Sequence, residues 1–322
     1  MEEIYLGAVD TQSAEAKAKN YKLEEVCTAI APVIWTEKKV WNSYPIRDQD
    51  GSGQCVCMTY ATELGILFKQ KYGVWMDFSS SYPYQARKYP LQSGCTSEDV
   101  YSIFPKIGNV YESFMPSQVM SDSQAMAVKK EPYFEDLAKV YKVMRVQLPI
   151  DFETVASTIQ ATGKGVMVWF KFHTDEWKDI PVVGIKPPNS GHSVTAVDFT
   201  LFNGKKYLVI DDSWGLKYAI KGQRLISEEY FNARCFLASY LKTFEVQDNY
   251  IIPEKPKFDG SIMSAQKCWK WLGLFPANVP EIENMGPISI GACIKFQNLF
   301  GIVPPLGILG PKTKAKLTEL FN

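Results

Sequence analysis

The sequence predicts an α+β protein in which a helix-then-sheet domain precedes a small helical one, and three observations carry that expectation. Apolar residues near helical spacing dominate the first half, most clearly after Cys55 (Val56, Thr59, Tyr60, Leu64, Leu67, Phe68). β-Branched runs come later, in Gly165 to Phe170, His192 to Phe199 and Lys206 to Ile210. Past the two prolines of Pro253 to Phe258, the most linker-like stretch, the chain changes character and repeats itself. The boundaries implied are residues 1–250, a linker at 251–258, and a three-helix domain at 259–322.

In chain order, Ala14 to Ile30 reads as a helix packed on the first domain. Gly51, Ser52 and Gly53 form a flexible loop before the Cys55 helix. Ser81 or a neighbour is placed to cap another helix after Asp77 and Phe78. Glu98 to Ile107 looks helical, and Phe152 to Thr162 looks like an amphipathic helix feeding the strand from Gly165. The strands after His192 and Lys206 flank Asn203-Gly204, a two-residue hairpin signal. Met263 to Leu272 begins the last domain. Gly286-Pro287-Ile288-Ser289 then recurs as Gly310-Pro311-Lys312-Thr313, each time ahead of a helical pattern, with proline just inside the helix start.

Composition bounds the function classes. A chain of 322 residues with 46% apolar residues can fill a real core, and 35 basic side chains balance 35 acidic ones. That balance gives no basic field for nucleic acid or an anionic membrane. No apolar run is long enough to span a bilayer, and the N-terminal Met1-Glu2-Glu3 is acidic where a signal peptide would be basic. The chain therefore reads as soluble, without a standard export signal. Its seven cysteines are scattered and odd in number, which suggests a reduced protein without a disulfide framework. With two histidines and no Cys-x-x-Cys, neither a zinc site nor any other cofactor is implied.

Three segments carry chemistry. Cys55 opens a helix, where unpaired backbone N–H groups and the positive end of the dipole would favour a thiolate by about 0.3–1 kcal/mol or more. Gln49 lies six residues earlier, across a glycine loop, and its amide can fold back to join the Cys55 N–H as an oxyanion donor. His192, after Gly191, begins a strand and can project into a cleft as general base and acid. Asp212, in Asp211-Asp212-Ser213-Trp214-Gly215, ends the neighbouring strand, where it could fix the imidazole tautomer while Trp214 roofs the pair. His173 lies among aromatics and charges and reads as structural or substrate-lining.

This order of residues resembles the papain superfamily of cysteine peptidases over residues 40–240, with wording closer to papain-like proteins of bacteriophages and uncultured bacteria. The resemblance implies a helical lobe, a sheet lobe and a peptide- or protein-binding cleft between them. It implies Cys55 as nucleophile, His192 as base and acid, Asp212 as orienting residue and Gln49 as oxyanion donor, supported by Gly53, Gly191 and Trp214. Asp212 stands where the family pattern has asparagine, and an anionic partner raises a histidine pKa more than an amide does. The cysteine and the tryptophan that flank the family's nucleophile are absent here. Cys57 is a rival nucleophile, but its spacing from Gln49 is wrong and on a helix it points elsewhere. About forty residues precede the catalytic segment, too few for a large inhibitory pro-segment, so no zymogen step is expected.

Residues 259–322 resemble the peptidoglycan-binding-like domain attached to many cell-wall hydrolases, on Ala292, Phe296, Gln297, Gly310, Pro311 and Thr313. Gln297 and Thr313 are the candidate wall-binding residues, and peptidoglycan the candidate partner. The two halves together imply an endopeptidase directed to bacterial cell wall or to a surface or virion protein. Two alternatives stand beside it, a processing protease for phage structural proteins and a catalytically silent structural or adhesion protein of papain-like shape. Virion association and release to the cell wall are both open.

Overall fold

Eighteen residues, Cys55–Tyr72, form helix α1, and every side chain from Cys55 to Phe68 is buried. This explains its lack of a polar stripe, since a helix covered all round is apolar all round. Its one buried carboxylate, Glu63, is satisfied by Arg145 at 2.6 Å. The structure is a computed structural model and describes residues 7–9, 31–73, 75–132, 134–178, 180–182, 186–245, 256–272, 274–276 and 279–322. The helix expected over 14–30 and the linker residues 251–255 lie outside them. Contacts divide the chain into two units, residues 1–68 with 77–247, and residues 69–76 with 248–322.

In the larger unit, β1 (Ala8–Val9) precedes α1, which is followed by α2 (Ser81–Ala86), β2 (Cys95–Thr96), α3 (Phe104–Ile107), α4 (Asp122–Ala127) and α5 (Phe134–Lys139). Tyr82, Val110, Met115, Phe134 and Ala138 close a local core among them. The N-cap position of α2 is Ser80, which makes no side-chain cap bond; its neighbour Ser79 accepts from the Tyr82 N–H at 3.2 Å, while the Ser81 hydroxyl donates to the Pro116 carbonyl. The helix expected over Glu98 to Ile107 is split into a wide π-turn over Asp99–Ile103 and then α3. Pro105 sits in the first turn of α3, where its missing N–H is tolerated but where a continuous α-helix would need it as a donor.

The second half builds one antiparallel sheet. β3 (Val143–Leu148) is followed by α6 (Phe152–Thr162), β4 (Val166–Phe172), β5 (Ser190–Phe202), β6 (Lys205–Asp211), β7 (Gln223–Ser227), α7 (Glu228–Arg234) and β8 (Cys235–Phe244), in sheet order β3-β8-β4-β5-β6-β7. Asp151 caps α6 through the Thr154 N–H at 2.7 Å, and Gly163 ends it in the left-handed region. Phe152, Val155, Ala156 and Ile159 of α6 join Val166, Val168, Phe170, Val194, Ala196, Leu208, Ile210 and Ile226 of the sheet in one core. Each large side chain buried there contributes about 1.5–3 kcal/mol. Asn203 and Gly204, at φ +50° and +73°, make the tight turn between β5 and β6. That turn fixes the register from Phe202–Lys205 to Asp198–Val209, and a bulge between Ala196 and Asp198 then shifts it so that Thr195 pairs with Asp211.

The smaller unit holds α8 (Ile262–Trp271), α9 (Pro287–Leu299) and α10 (Pro311–Phe321). The sequence repeat has a physical meaning here. Gln266 donates to the Asn284 carbonyl and the Ser289 hydroxyl, at 2.9 and 2.8 Å, and accepts from the Ile282 N–H. Gln297 repeats the pattern one helix later, donating to the Ile308 carbonyl and the Thr313 hydroxyl and accepting from the Gly307 N–H. Each Gly-Pro-x-Ser/Thr helix start is thus clamped by a glutamine of the preceding helix.

Candidate active site

The nucleophile candidate is set by α1. Cys55 is its first residue, so its backbone N–H has no intrahelical acceptor and stays available to an incoming oxygen. The Thr59 hydroxyl donates to the Cys55 carbonyl at 2.9 Å, and Ser193 donates to the Thr59 hydroxyl at 3.0 Å. Ser193 directly follows His192 on β5, so this relay ties the helix carrying the thiol to the strand carrying the imidazole. Cys57 faces away, buried, with its sulfur 3.5 Å from that of Cys95. All six described cysteines are free thiols.

His192 Nε2 meets Asp212 Oδ1 at 2.8 Å, which leaves Nδ1 free of that bond, and Cys55 is among the neighbours that raise the pKa of the ring. Burial is the largest single influence on the imidazole and lowers its pKa. The Asp212 carboxylate and Cys55 outweigh it and raise the value to about 9. For Asp212, burial alone would raise the pKa, but His192 and Arg224 bring it down to about 2. The carboxylate is fully engaged. Oδ1 also accepts from the Ser213 N–H at 2.8 Å, and Oδ2 accepts from Trp177 Nε1 at 2.9 Å and from Arg224 Nε at 2.7 Å. Phe172, Trp177 and Trp214 box the imidazole with ring centroids at 5.5, 5.5 and 5.7 Å.

Gln49 reaches the same place by a different route. Residues 47–49 pair with 213–215 through the Gln49 N–H to the Ser213 carbonyl (2.9 Å) and the Gly215 N–H to the Arg47 carbonyl (3.0 Å). Its side-chain oxygen accepts from Ser213 Oγ at 2.5 Å, and its amide nitrogen donates to the Ser52 carbonyl. An amide nitrogen carries two hydrogens, so one is left for a ligand.

Cys55, His192 and Gln49 line a cleft of about 580 Å³ together with Gly53, Gly191, Trp177, Trp214, Lys178, Lys217 and Arg224. Gly53 and Gly191 are there because a side chain would not fit. A Cβ on Gly53 would strike Ser93 and stand 2.6 Å from the Gly94 nitrogen, and one on Gly191 would strike the Ala8 carbonyl. The second contact shows what the sequence reading missed. β1 pairs in parallel with β2 (Ala8 with Cys95, Val9 with Thr96), and Gly7 just ahead of it lines the cleft. A Cβ on Gly7 would sit 2.9 Å from the Cys55 sulfur. The sequence offered no sign that Gly7 would stand beside the Cys55 sulfur.

Arg224, Trp177 and Ser213 were also not anticipated as site residues. The available signal was an arginine directly before the apolar pair Leu225-Ile226 of β7, a place where a buried charge calls for an anion. His173 is partly buried and its Nδ1 accepts from the Asp175 N–H at 3.1 Å, away from the Asp212 cluster. Gln297 and Thr313 are corrected as wall contacts. Both are buried, at 3% and 1% exposed, and spend their polar atoms on each other and on the turn at 307–308. They shape the domain from inside and present nothing to a glycan. Among the described residues no helix is long and apolar enough to cross a membrane.

No protein-family model matches the chain, and no curated protein does. Solved structures do. Xylellain, a cysteine protease from Xylella fastidiosa, aligns with a TM-score of 0.54 at 16% identity, over 69% of this chain and 90% of its own. The cysteine protease and lectin-like domains of a surface-layer-associated protein of Clostridium difficile align at 0.51 and 18% identity, over 74% of this chain and 61% of theirs. Procathepsin B of Trypanosoma congolense aligns at 0.51 and 16% identity, over 62% of this chain and 72% of its own. The chain therefore has the papain-like cysteine protease fold, α+β with a helical half and an antiparallel sheet half.

Proposed function

We propose that this protein is a cysteine peptidase in which Cys55 attacks, His192 moves the proton, Asp212 orients the imidazole and Gln49 stabilises the oxyanion. One observation carries the reading. His192 is bonded to a buried, fully engaged carboxylate and lines the same cleft as the thiol at the head of α1, the arrangement a thiolate–imidazolium pair requires. Attack of the thiolate on a peptide carbonyl forms a tetrahedral oxyanion, placed to accept from the Cys55 N–H and the free amide hydrogen of Gln49. His192 then gives its proton to the leaving amine, and later takes one from the water that hydrolyses the thioester.

The substrate class that fits the cleft is an extended peptide or protein. Gly7 lines it and stands against the Cys55 sulfur, so turnover is expected to rise when Gly7–Val9 is displaced. Direction to a bacterial wall or a surface or virion protein rests on the sequence pattern of residues 259–322, with Gln297 and Thr313 taking no part. The test is hydrolysis of casein, compared between the full chain and a variant lacking residues 1–9. Activity that survives Cys57→Ser and disappears in Cys55→Ala supports the reading. No activity in either form, with a folded protein, favours the catalytically silent alternative.

A further inference from the structure

Asp212 holds a position where the papain-like pattern has a neutral asparagine, and a charge there has consequences. An unbalanced carboxylate 2.8 Å from His192 would hold the proton on the imidazole too tightly for transfer to a leaving amine. The structure supplies a counterweight. Arg224 lies on the far side of the carboxylate, its Nε 2.7 Å from Oδ2, with both side chains at most 2% exposed. Its guanidinium also donates to the Trp177 carbonyl and lies 5.4 and 5.3 Å from the Trp177 and Trp214 rings. Trp177 and Trp214 are the same rings that box His192, so Arg224 and His192 grip one carboxylate inside one aromatic frame.

We infer that Arg224 is a positioning residue that neutralises Asp212, letting an aspartate take the orienting role without locking the proton on His192. The buried row then alternates in sign, Cys55 thiolate, His192 imidazolium, Asp212 carboxylate and Arg224 guanidinium, and sums to zero. This rests on the reading of Cys55 and His192 as the catalytic pair. The charged groups facing the row are few. Cys55 and Asp212 face His192. Arg224, His192 and Asp211 bear on Asp212, and burial raises Asp211 to about 7, so it is only partly charged near neutrality. Lys178 and Lys217 stand on the cleft lining, and Lys178 is well exposed to solvent.

The chain offers a direct readout, because it has only two histidines. Titration of the full-length protein with 13C-labelled histidine, followed by NMR, reports the His192 pKa whether or not the protein turns over a substrate. Arg224→Met is expected to raise that pKa by about one unit or more, Asp212→Asn to lower it, and the double variant to return it between the two. Arg224→Lys, which keeps the charge, is expected to stay near the wild-type value. A purely structural arginine would act the other way, since loosening the site carries His192 down toward its ordinary value. An unchanged or lowered His192 pKa in Arg224→Met, or an equal rise in Arg224→Lys, overturns the inference. Loss of casein hydrolysis from Cys55→Ala tests the peptidase reading separately, so the two can fail independently.

Discussion

Ser213 donates its hydroxyl to the side-chain oxygen of Gln49 at 2.5 Å, joining the residue after the orienting carboxylate to the oxyanion donor. One turn, Asp212-Ser213-Trp214, therefore sets both the imidazole and the amide. Ser213→Ala should release the Gln49 amide and lower kcat/KM for a peptide substrate about tenfold, while a lost hydrogen bond of about 1 kcal/mol leaves the fold intact. Gln49→Ala should cost more, about 100-fold or beyond, because it removes the donor itself. Steady-state kinetics on both variants, with melting curves alongside, check the ranking.

Removal of residues 1–9 should open the cleft. Gly7 is close enough to the Cys55 sulfur that a side chain there would collide with it, and Gly191 accommodates the Ala8 carbonyl. We expect alkylation of Cys55 to accelerate about tenfold or more in the truncated chain, by mass spectrometry of timed iodoacetamide reactions. Equal rates in the two forms would show that β1 does not restrict access to the sulfur.

The pH dependence follows from two shifted groups. His192 is held above its unfolded value of 6.5, so its contribution to stability is complete below about pH 6.5 and is lost as pH rises through about 9. Asp212 is held below its unfolded 3.8, so its contribution is complete above that pH and is lost as pH falls through about 2. Amide hydrolysis should fall on an alkaline limb near pH 9, where the proton for the leaving amine disappears. Chemical denaturation measured from pH 2 to 10 tests both stability statements, and kcat/KM measured from pH 5 to 10 tests the alkaline limb.

Gln297→Ala should destabilise the C-terminal unit by about 2–4 kcal/mol, because one buried amide makes three hydrogen bonds there. Casein hydrolysis should stay unchanged. Calorimetry that shows an unaltered transition would mean the clamp is dispensable.

The sequence displayed the parts of this fold whose signals are local. The α6 pattern, the Asn203-Gly204 turn, the proline starts of α9 and α10 and the thiol at the head of α1 could all be read from neighbouring residues. What escaped were relations between distant segments. Arg224 reaches Asp212 only because β6 and β7 pair in a particular register, and Ser213 reaches Gln49 only because 47–49 and 213–215 run together. The repeated Gly-Pro-x-Ser/Thr signal was visible, but its burial under Gln266 and Gln297 was not, so residues that hold the domain together looked like binding residues. The strand at Ala8–Val9 is two residues long and pairs with the equally short β2, leaving no periodicity to find.

The most direct test of the account is the reactivity of one sulfur. The variant lacking residues 1–9 would be treated with limiting iodoacetamide at pH 6, alone and with His192→Ala, and the modified residue identified by mass spectrometry. The account predicts fast, selective modification of Cys55 that collapses in the His192→Ala protein, with Cys57, Cys95, Cys235, Cys268 and Cys293 left unmodified. Slow labelling shared among the cysteines and indifferent to His192 would contradict it.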